Sequence, residues 1–276
     1  MLRTRIIPAL LVDRGSLVKT RKFKGRNYVG DPCNTLRIFN ELEVDELVVL
    51  DISATPDKRE PDWALLKDIA SECFMPLAYG GGLRTFDQAR RVFGIGFEKV
   101  VINSELHARP EFISELAAVY GSQAIVASID VRRDLFGRER VVSRSAQRSH
   151  KVDLADWART VEAHGAGEIL LTNVDREGTW TGFDIEMVKR VTDAVDIPVI
   201  AQGGAAGVRD LVSVVREGGA SSAAVVAMVV YQKKDFCVLV NFPEPSLLKE
   251  AFSSQDGHPD DGSGSSEAGN AEVAVR

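Results

Sequence analysis

The residue best placed for proton transfer in this chain is Asp130, which ends the apolar run Ala124–Val131. An acid at the end of a buried strand is partly desolvated, and desolvation raises its pKa toward a value that suits general acid–base catalysis. We therefore predict that Asp130 is catalytic. The alternative is an ion pair with Arg132 or Arg133, which would hold the carboxylate charged.

Two glycine clusters, Gly80–Gly82 and Gly203–Gly204, each follow an apolar run and precede a segment with helical periodicity. Glycines at such a turn allow backbone N–H groups to close on an anion at the start of a helix. Two clusters in equivalent positions predict a substrate with a phosphate at each end. The alternative is that these glycines only form tight turns.

Four charged residues stand at the other ends of the apolar runs, where each run begins. They are Arg5, Glu46, Lys99 and Glu168. Two acids and two bases brought together can neutralise one another. One interpretation is a structural closure of the core, and the other is a polar gate that admits a small molecule from a docked partner.

The chain also contains an internal repeat at an offset of ~120 residues, which is half of an ordinary eight-unit barrel. The segment DELVVLDISATP matches GEILLTNVDREG, and MPLAYGGGLR matches IPVIAQGGAAG. Arg5–Val12 matches Ala124–Val131, so the position that corresponds to Asp130 is Leu11. The repeat predicts two half-barrels, only one of which keeps the acid.

Eight nearly all-apolar runs alternate with helical segments, which favours a closed parallel (β/α)8 TIM barrel over an open doubly wound sheet. The predicted strands are Ile6–Leu11, Leu47–Asp51, Pro76–Tyr79, Val100–Asn103, Ala124–Asp130, Ile169–Thr172, Pro198–Gln202 and Ser222–Met228. The predicted helices are Pro61–Cys73, Thr85–Phe93, Pro110–Tyr120, Asp153–His164, Phe183–Val195 and Val208–Glu217, with Thr85 and Asp153 as N-caps.

Barrel enzymes place their active sites at the carboxyl ends of the strands, so Asp51, Asn103, Asp130 and Thr172 should meet at one mouth. For Asp51, a purely structural hydrogen-bonding role is an open alternative. Residues 1–252 are predicted to form one barrel, whose last helix starts near Glu244. The Gly-, Ser- and acid-rich residues 253–276 are predicted to be a disordered tail.

Composition excludes several classes of function. A net charge of −6 without a dense Lys/Arg block argues against nucleic-acid binding. Three cysteines without metal spacing favour a reducing compartment, and no run is long enough to span a membrane, so we expect a cytoplasmic protein. We find no signature of a metal site, and none of a cofactor.

These features together resemble the cyclase subunit of imidazole glycerol phosphate synthase, from Met1 to about Val230. The matching segments are MLRTRII, GDP, DELVVLDI, YGGG, EKVVINS, GSQAIVASID, GAGEILLTNVDREGT and IAQGGA. In that family the barrel receives ammonia from a glutaminase docked on its bottom face. The ammonia crosses the barrel axis and reacts with a bis-phosphorylated aminoimidazole carboxamide ribulotide.

The resemblance also implies roles for individual residues. Arg5, Glu46, Lys99 and Glu168 match the family's ammonia gate, and Glu98 matches a contact with the glutaminase partner. Asn103, Asp130 and the glycine clusters match the family's substrate site, and Lys19 matches a lysine on its mobile first loop. The binding site predicted for the phosphorylated substrate consists of Lys19, Asp51, Gly81, Gly82, Asn103, Thr172, Glu177, Gly178, Gly203 and Gly204. No cofactor is implied.

The departures from the family concentrate at the top of the barrel. Leu11 replaces the first aspartate of the catalytic pair, and losing one partner of such a pair typically lowers the rate ~10²–10⁴-fold. Asp13 could substitute only with a shifted loop. The other departures are Gln202 for a small hydroxyl residue, Glu177 for an aspartate, the loop Arg144–Val152 without the expected glycines, and the ending Cys237–Pro245.

Three hypotheses follow. The first is a paralogue that delivers ammonia to another acceptor, similar to barrel subunits found with a glutaminase and a sugar amidotransferase in bacterial surface-polysaccharide synthesis. The second is a working histidine-pathway cyclase in which Asp130 suffices or Asp13 substitutes. The third is a non-catalytic scaffold that activates a glutaminase.

Overall fold

The computed structural model describes residues 4–42, 44–231 and 237–254. Eight strands form a closed parallel barrel in which each strand pairs with the next and the last pairs with the first. The barrel strands are Arg5–Asp13 (β1), Leu47–Asp51 (β4), Leu77–Gly80 (β5), Lys99–Ile102 (β6), Ile125–Arg133 (β7), Glu168–Asn173 (β10), Val199–Gln202 (β11) and Ser222–Val225 (β12). The predicted (β/α)8 barrel is confirmed.

Helices alternate with these strands and cover the outside of the barrel. They are Pro32–Glu41 (α1), Trp63–Glu72 (α2), Phe86–Ile95 (α3), Phe112–Tyr120 (α4), Leu154–Ala163 (α5), Ile185–Thr192 (α6), Val208–Arg216 (α7), Ala227–Val230 (α8) and Pro245–Ser253 (α9). Both predicted N-caps are present: Thr85 forms a reciprocal capping box with Gln88, and Asp153 accepts from two backbone N–H groups of α5.

Each half of the barrel carries an antiparallel hairpin after its first strand. Ser16–Arg21 (β2) and Lys24–Gly30 (β3) follow β1, and Glu139–Ser143 (β8) and Arg148–His150 (β9) follow β7. The sequence predicted neither hairpin. Their equivalent positions agree with the internal twofold repeat.

One predicted strand was too long, and two helices, α1 and α8, were missed. The run Ser222–Met228 is strand only as far as Val225, because the backbone of Val226 turns to helical angles and α8 begins at Ala227. A short buried helix is as apolar as a buried strand, so periodicity could not separate them. Helix α1 was missed, although Asp31 caps it and Pro32 occupies its first turn.

Side chains that point into the barrel follow the strand register. An apolar cluster fills the middle of the barrel, and a larger one lies between strands and helices. The inner cluster consists of Ile7, Ala9, Leu11, Val18, Val48, Ala78, Val101, Val126, Leu170, Ile200, Ala224 and Val226. This layer separates the charged residues at the strand starts from the polar residues at the strand ends.

The described chain end contains a short helix that reaches one residue into the predicted tail. Helix α9 starts at Pro245 after the N-cap Glu244, and Ser253 is its last residue. The rest of the predicted tail, residues 255–276, lies outside the described residues. No described helix is long and apolar enough to cross a membrane.

Candidate functional site

A cavity of about 420 Å³ opens at the carboxyl ends of the barrel strands. Six residues predicted for the site line it, namely Asp51, Gly81, Gly82, Asn103, Asp130 and Thr172. The other predicted binding residues lie elsewhere: Glu177, Gly178, Gly203 and Gly204 line a separate small pocket, and Lys19 lies on β2.

Asp130 is buried at the floor of the cavity. The Asn103 Nδ2 atom donates to Asp130 Oδ2 at 3.0 Å. Burial raises the pKa of Asp130 to about 7, although hydrogen bonds from Thr172, Ser128 and Asn103 act in the opposite direction. A carboxyl group with this pKa can both accept and donate a proton near neutral pH.

The alternative partners of Asp130 are engaged elsewhere. Arg132 Nη1 donates to the carbonyl oxygen of Ala146 at 3.4 Å. Arg133 lies within ion-pair distance of Glu139 and Asp184. The structure therefore does not show the ion pair that would have made Asp130 a structural residue.

Asp51 is the centre of a buried hydrogen-bond network. Its carboxylate accepts from the backbone N–H groups of Ser53 and Ala54 and from the guanidinium of Arg59 at 2.6 and 2.7 Å. These contacts fix the loop after β4. They favour the structural interpretation of Asp51, and contact with a substrate stays a prediction.

The two halves of the barrel require glycine after β5 and β11 for the same steric reason. Gly81 has a φ of +126°, and a Cβ there would lie 2.5 Å from the carbonyl oxygen of Asp51. Gly203 has a φ of +101°, and its Cβ would lie 2.5 Å from the carbonyl oxygen of Asn173. Both positions exclude a side chain, so close packing alone explains them, and phosphate binding stays a prediction.

The second glycine cluster lines a pocket of only about 10 Å³ together with Glu177. Thr20 Oγ1 donates to Glu177 Oε2 at 3.0 Å, whereas Glu177 Oε1 is buried without a hydrogen-bond partner. Burial raises the pKa of Glu177 to about 7, against the hydrogen bond from Thr20 and the charge of Lys19. The Lys19 Nζ atom lies 4.7 Å from the centre of the Tyr231 ring.

At the opposite end of the barrel, the four predicted charged residues form one closed ring. Lys99 Nζ donates to Glu46 Oε1 and to Glu168 Oε2, both at 2.8 Å. Arg5 donates to the same two carboxylates, at 2.6 Å for Glu168 Oε1. Burial lowers the pKa of Arg5, but the two glutamates together outweigh it and the pKa lies above its ordinary value.

Glu98 lies beside this ring on the same face. Its carboxylate accepts from the backbone N–H of Leu77 at 3.1 Å, which caps the start of β5. The residue is exposed. Its contact with a partner stays a prediction.

Comparison with known proteins assigns the family. A family model described as "Histidine biosynthesis protein" matches residues 5–235. The chain belongs to this family. It is 42% identical over 248 residues to a provisionally named imidazole glycerol phosphate synthase subunit hisF2 of Pseudomonas aeruginosa, over 90% of this chain and 99% of the relative.

Two further relatives give the same result. A provisionally named subunit hisF3 of Vibrio vulnificus is 41% identical over 253 residues, which cover 91% of this chain and 97% of the relative. The imidazole glycerol phosphate synthase subunit HisF of Alkaliphilus metalliredigens is 41% identical over 233 residues, or 84% and 92% of the two chains. The resemblance found in the sequence is confirmed: the chain is HisF-like.

The cavity of this HisF-like barrel holds an apolar residue opposite Asp130. Leu11 is buried, lines the cavity and pairs in register with Leu50. Asp13 does not take the place of the missing acid, because both of its carboxylate oxygens accept from Arg26 Nη1 at 2.9 and 3.0 Å. Among the cavity-lining residues on the barrel strands, Asp51 and Asp130 are the acids, and Asp51 is held by Arg59.

Sequence reasoning missed the cations around the mouth. Five basic side chains line the cavity, contributed by loops from both halves: Arg26, Lys58, Arg84, Arg144 and Arg148. Two of them come from the segment 144–152, which lacks the glycines expected from the family, and Arg26 belongs to the Lys/Arg-rich run 21–26, which the sequence indicates as a loop for anionic small molecules or a solvated face. In the described residues, no group of three or more His, Cys, Asp or Glu side chains could hold a metal ion.

Proposed function

We propose that this chain is the barrel subunit of a glutamine-dependent, ammonia-channelling complex whose acceptor is not the imidazole precursor. A glutaminase docks on the face that carries the ring of Arg5, Glu46, Lys99 and Glu168. Ammonia crosses the barrel and serves the amidination of a sugar, catalysed by a separate amidotransferase in surface-polysaccharide synthesis.

The observation that carries this proposal is the difference between the two ends of the barrel. At the bottom, all four charged residues are present and make mutual ion pairs. At the top, Leu11 faces the cavity and Asp130 has no second free acid beside it. A route for ammonia is therefore kept, whereas the acid–base pair for ring closure is not.

The basic mouth supports an anionic acceptor. Arg84, Arg144 and Arg148 line the same cavity as the glycines after β5. Guanidinium groups suit phosphate and carboxylate because their donors match two oxygens at once. A phosphorylated sugar derivative fits this chemistry.

A working cyclase is the second candidate function, because Asp130 has a pKa of about 7 in a cavity large enough for a small substrate. The two candidates differ in one measurement. The purified barrel is incubated with saturating ammonium at mildly alkaline pH and the bis-phosphorylated ribulotide. We expect no turnover, and a rate of ~1 per second or faster would establish the cyclase instead.

A parallel assay tests the complex itself. The barrel should stimulate glutamine hydrolysis by a partner glutaminase roughly tenfold or more, as expected for a coupling of 1–3 kcal/mol. If it neither binds the glutaminase nor changes the rate, the argument from the charged ring is wrong. Stimulation without ammonia transfer to any acceptor would favour the scaffold hypothesis.

Restoring the acid gives a sharper comparison. Leu11→Asp places a carboxyl group opposite Asp130, and Leu50→Asp is the matched control because Leu50 pairs with Leu11 and lines the same cavity. We expect neither variant to convert the ribulotide. A large gain specific to Leu11→Asp would show that the cavity still fits the imidazole precursor and would contradict the proposal.

A further inference from the structure

Two buried amide oxygens at the floor of the cavity have no hydrogen-bond partner. They are Gln202 Oε1 and Asn103 Oδ1. Both residues line the cavity that contains Asp130, and the Gln202 residue is only 4% exposed. Buried acceptors of this kind are normally satisfied, so each one requires an explanation.

The strand register places these acceptors on one continuous wall. Asp130 pairs with Thr172, and Thr172 pairs with Gln202, so the three residues stand in register on the neighbouring strands β7, β10 and β11. Adjacent strands are ~4.8 Å apart, which separates the backbones of Asp130 and Gln202 by ~10 Å. Because their side chains point toward the axis and line one cavity, a ligand on this wall can contact both.

The atoms without a hydrogen-bond partner on this wall are acceptors. The Asn103 amide nitrogen already donates to Asp130, which leaves its oxygen for a ligand. The facing wall is apolar, with Leu11 on β1 and Leu50 on β4. A phosphate would bring more acceptor oxygens to this floor, whereas a small molecule with several N–H groups would satisfy the unpartnered ones.

We propose that Gln202 and Asn103 hold ammonia beside Asp130 at the point where it leaves the barrel axis. The inference rests on the proposed function and adds a specificity-determining residue to it, because Gln202 makes this floor a site for an N–H donor. The apolar layer below offers ammonia no hydrogen-bonding side chain, so the first acceptors above that layer are the hydroxyl of Ser128 and the oxygens of the wall.

The test uses the full-length barrel without a glutaminase. The side-chain NH2 pair of Gln202 is followed in a ¹⁵N-correlated NMR spectrum and assigned by its loss in Gln202→Met. Ammonium chloride is titrated at mildly alkaline pH, with sodium chloride keeping the ionic strength constant. We expect a saturable shift with ammonium and none with sodium.

Variants then separate binding from general effects. Gln202→Met keeps the side-chain volume, and in this variant the NH2 signals of Asn103 report the titration. The affinity for ammonium should fall roughly three- to tenfold, because one hydrogen bond is lost. Gln202→Glu should raise the affinity. The same change at the exposed Gln123, Gln123→Met, is the matched control and should leave the affinity unchanged.

The outcomes are distinct. Equal shifts with ammonium and sodium, or a saturable response to inorganic phosphate alone, would overturn the inference. If the barrel stimulates a glutaminase but does not bind ammonium here, the inference fails and the proposed function stands. If ammonium binds but no glutaminase is stimulated, the proposed function fails and the site survives as an ammonium site.

Discussion

Two carboxyl groups at the top of this barrel, Asp130 and Glu177, have pKa values raised to about 7 by burial. They lie in different pockets and have different partners: Asn103 donates to Asp130, and Thr20 donates to Glu177. Each is therefore partly protonated at neutral pH. Both raised pKa values lower the stability of the folded protein at high pH, where each carboxyl group must ionise in a buried site.

Asp130→Asn should reveal how much stability the folded protein loses when the buried Asp130 ionises. The folded pKa of about 7 exceeds the ordinary value of 3.8, so the folded state binds the proton more tightly than the unfolded state. Stability therefore falls as pH rises from about 4 to 7, and the full penalty is present above that window. The free energy of unfolding of Asp130→Asn, compared with that of wild type, should therefore rise by on the order of 1–4 kcal/mol between pH 4 and pH 8.

Urea unfolding at both pH values measures this difference. Asp68→Asn, a change at an exposed aspartate on α2, is the control and should follow wild type. If the difference between Asp130→Asn and wild type is the same at pH 4 and pH 8, then Asp130 ionises in the folded protein as it does in the unfolded chain.

At the scale of elements, the hairpin of β8 and β9 brings two arginines to the mouth and is held by stacked rings. The ring of His107 lies 3.6 Å from that of His150 and 4.6 Å from that of Trp157, centre to centre. Burial and the charges of His150 and Arg148 lower the pKa of His107 to about 4. The stack therefore requires neutral imidazoles.

His107→Phe should make the hairpin resistant to acid. The pKa of His107 is 6.5 in the unfolded chain and about 4 in the folded protein. The stability that the neutral imidazole contributes is therefore lost as pH falls from 6.5 to about 4. Phenylalanine keeps the stacking and cannot be protonated. At pH 5, hydrogen exchange of the β9 amides should be about tenfold slower than in wild type and equal to it at pH 7.

His164→Phe is the control for this experiment, because His164 contacts Ser114 rather than the hairpin. Faster exchange in His107→Phe at both pH values would mean that the imidazole contributes a specific contact that a phenyl ring lacks. In that case the stack is not what makes the hairpin sensitive to pH.

The barrel strands were predictable because burial on both sides leaves a continuous apolar run that turns and charges interrupt. The two hairpins were not predictable from the sequence. Strand β3 is largely exposed and strands β8 and β9 are short, so none of the three carries a clear alternation of apolar and polar residues. The same reason hid Arg144 and Arg148 from the predicted site. Asp130 was predictable because it is the acid near the end of an apolar run, although the strand itself continues to Arg133.

Gln202 shows the limit of sequence reasoning at a site. Its position at the end of β11 was predicted, but its unpartnered oxygen depends on what the neighbouring strands place beside it. The register with Thr172 and Ala224 decides this. Local periodicity in the sequence does not show which residues of distant segments pair with one another.

Along the axis of the whole molecule, charge and polarity change in three layers. The ring of Arg5, Glu46, Lys99 and Glu168 closes the bottom, an apolar layer fills the middle, and a cavity with a basic rim opens at the top. Glu168 belongs to the second half-barrel and its partners to the first. The ring therefore joins the two halves at one end, and its purpose can be tested through stability.

If the ring exists to pass ammonia rather than to hold the fold, an apolar replacement of all four residues should leave stability within ~1 kcal/mol of wild type. Lys99→Met alone should cost roughly 3–5 kcal/mol, since it leaves two buried glutamates facing one arginine. Arg37→Met, which breaks the exposed pair with Glu72, is the control and should cost less than ~1 kcal/mol. Denaturant unfolding at neutral pH measures all three, and a quadruple variant less stable than Lys99→Met would show that the charges are needed to close the barrel.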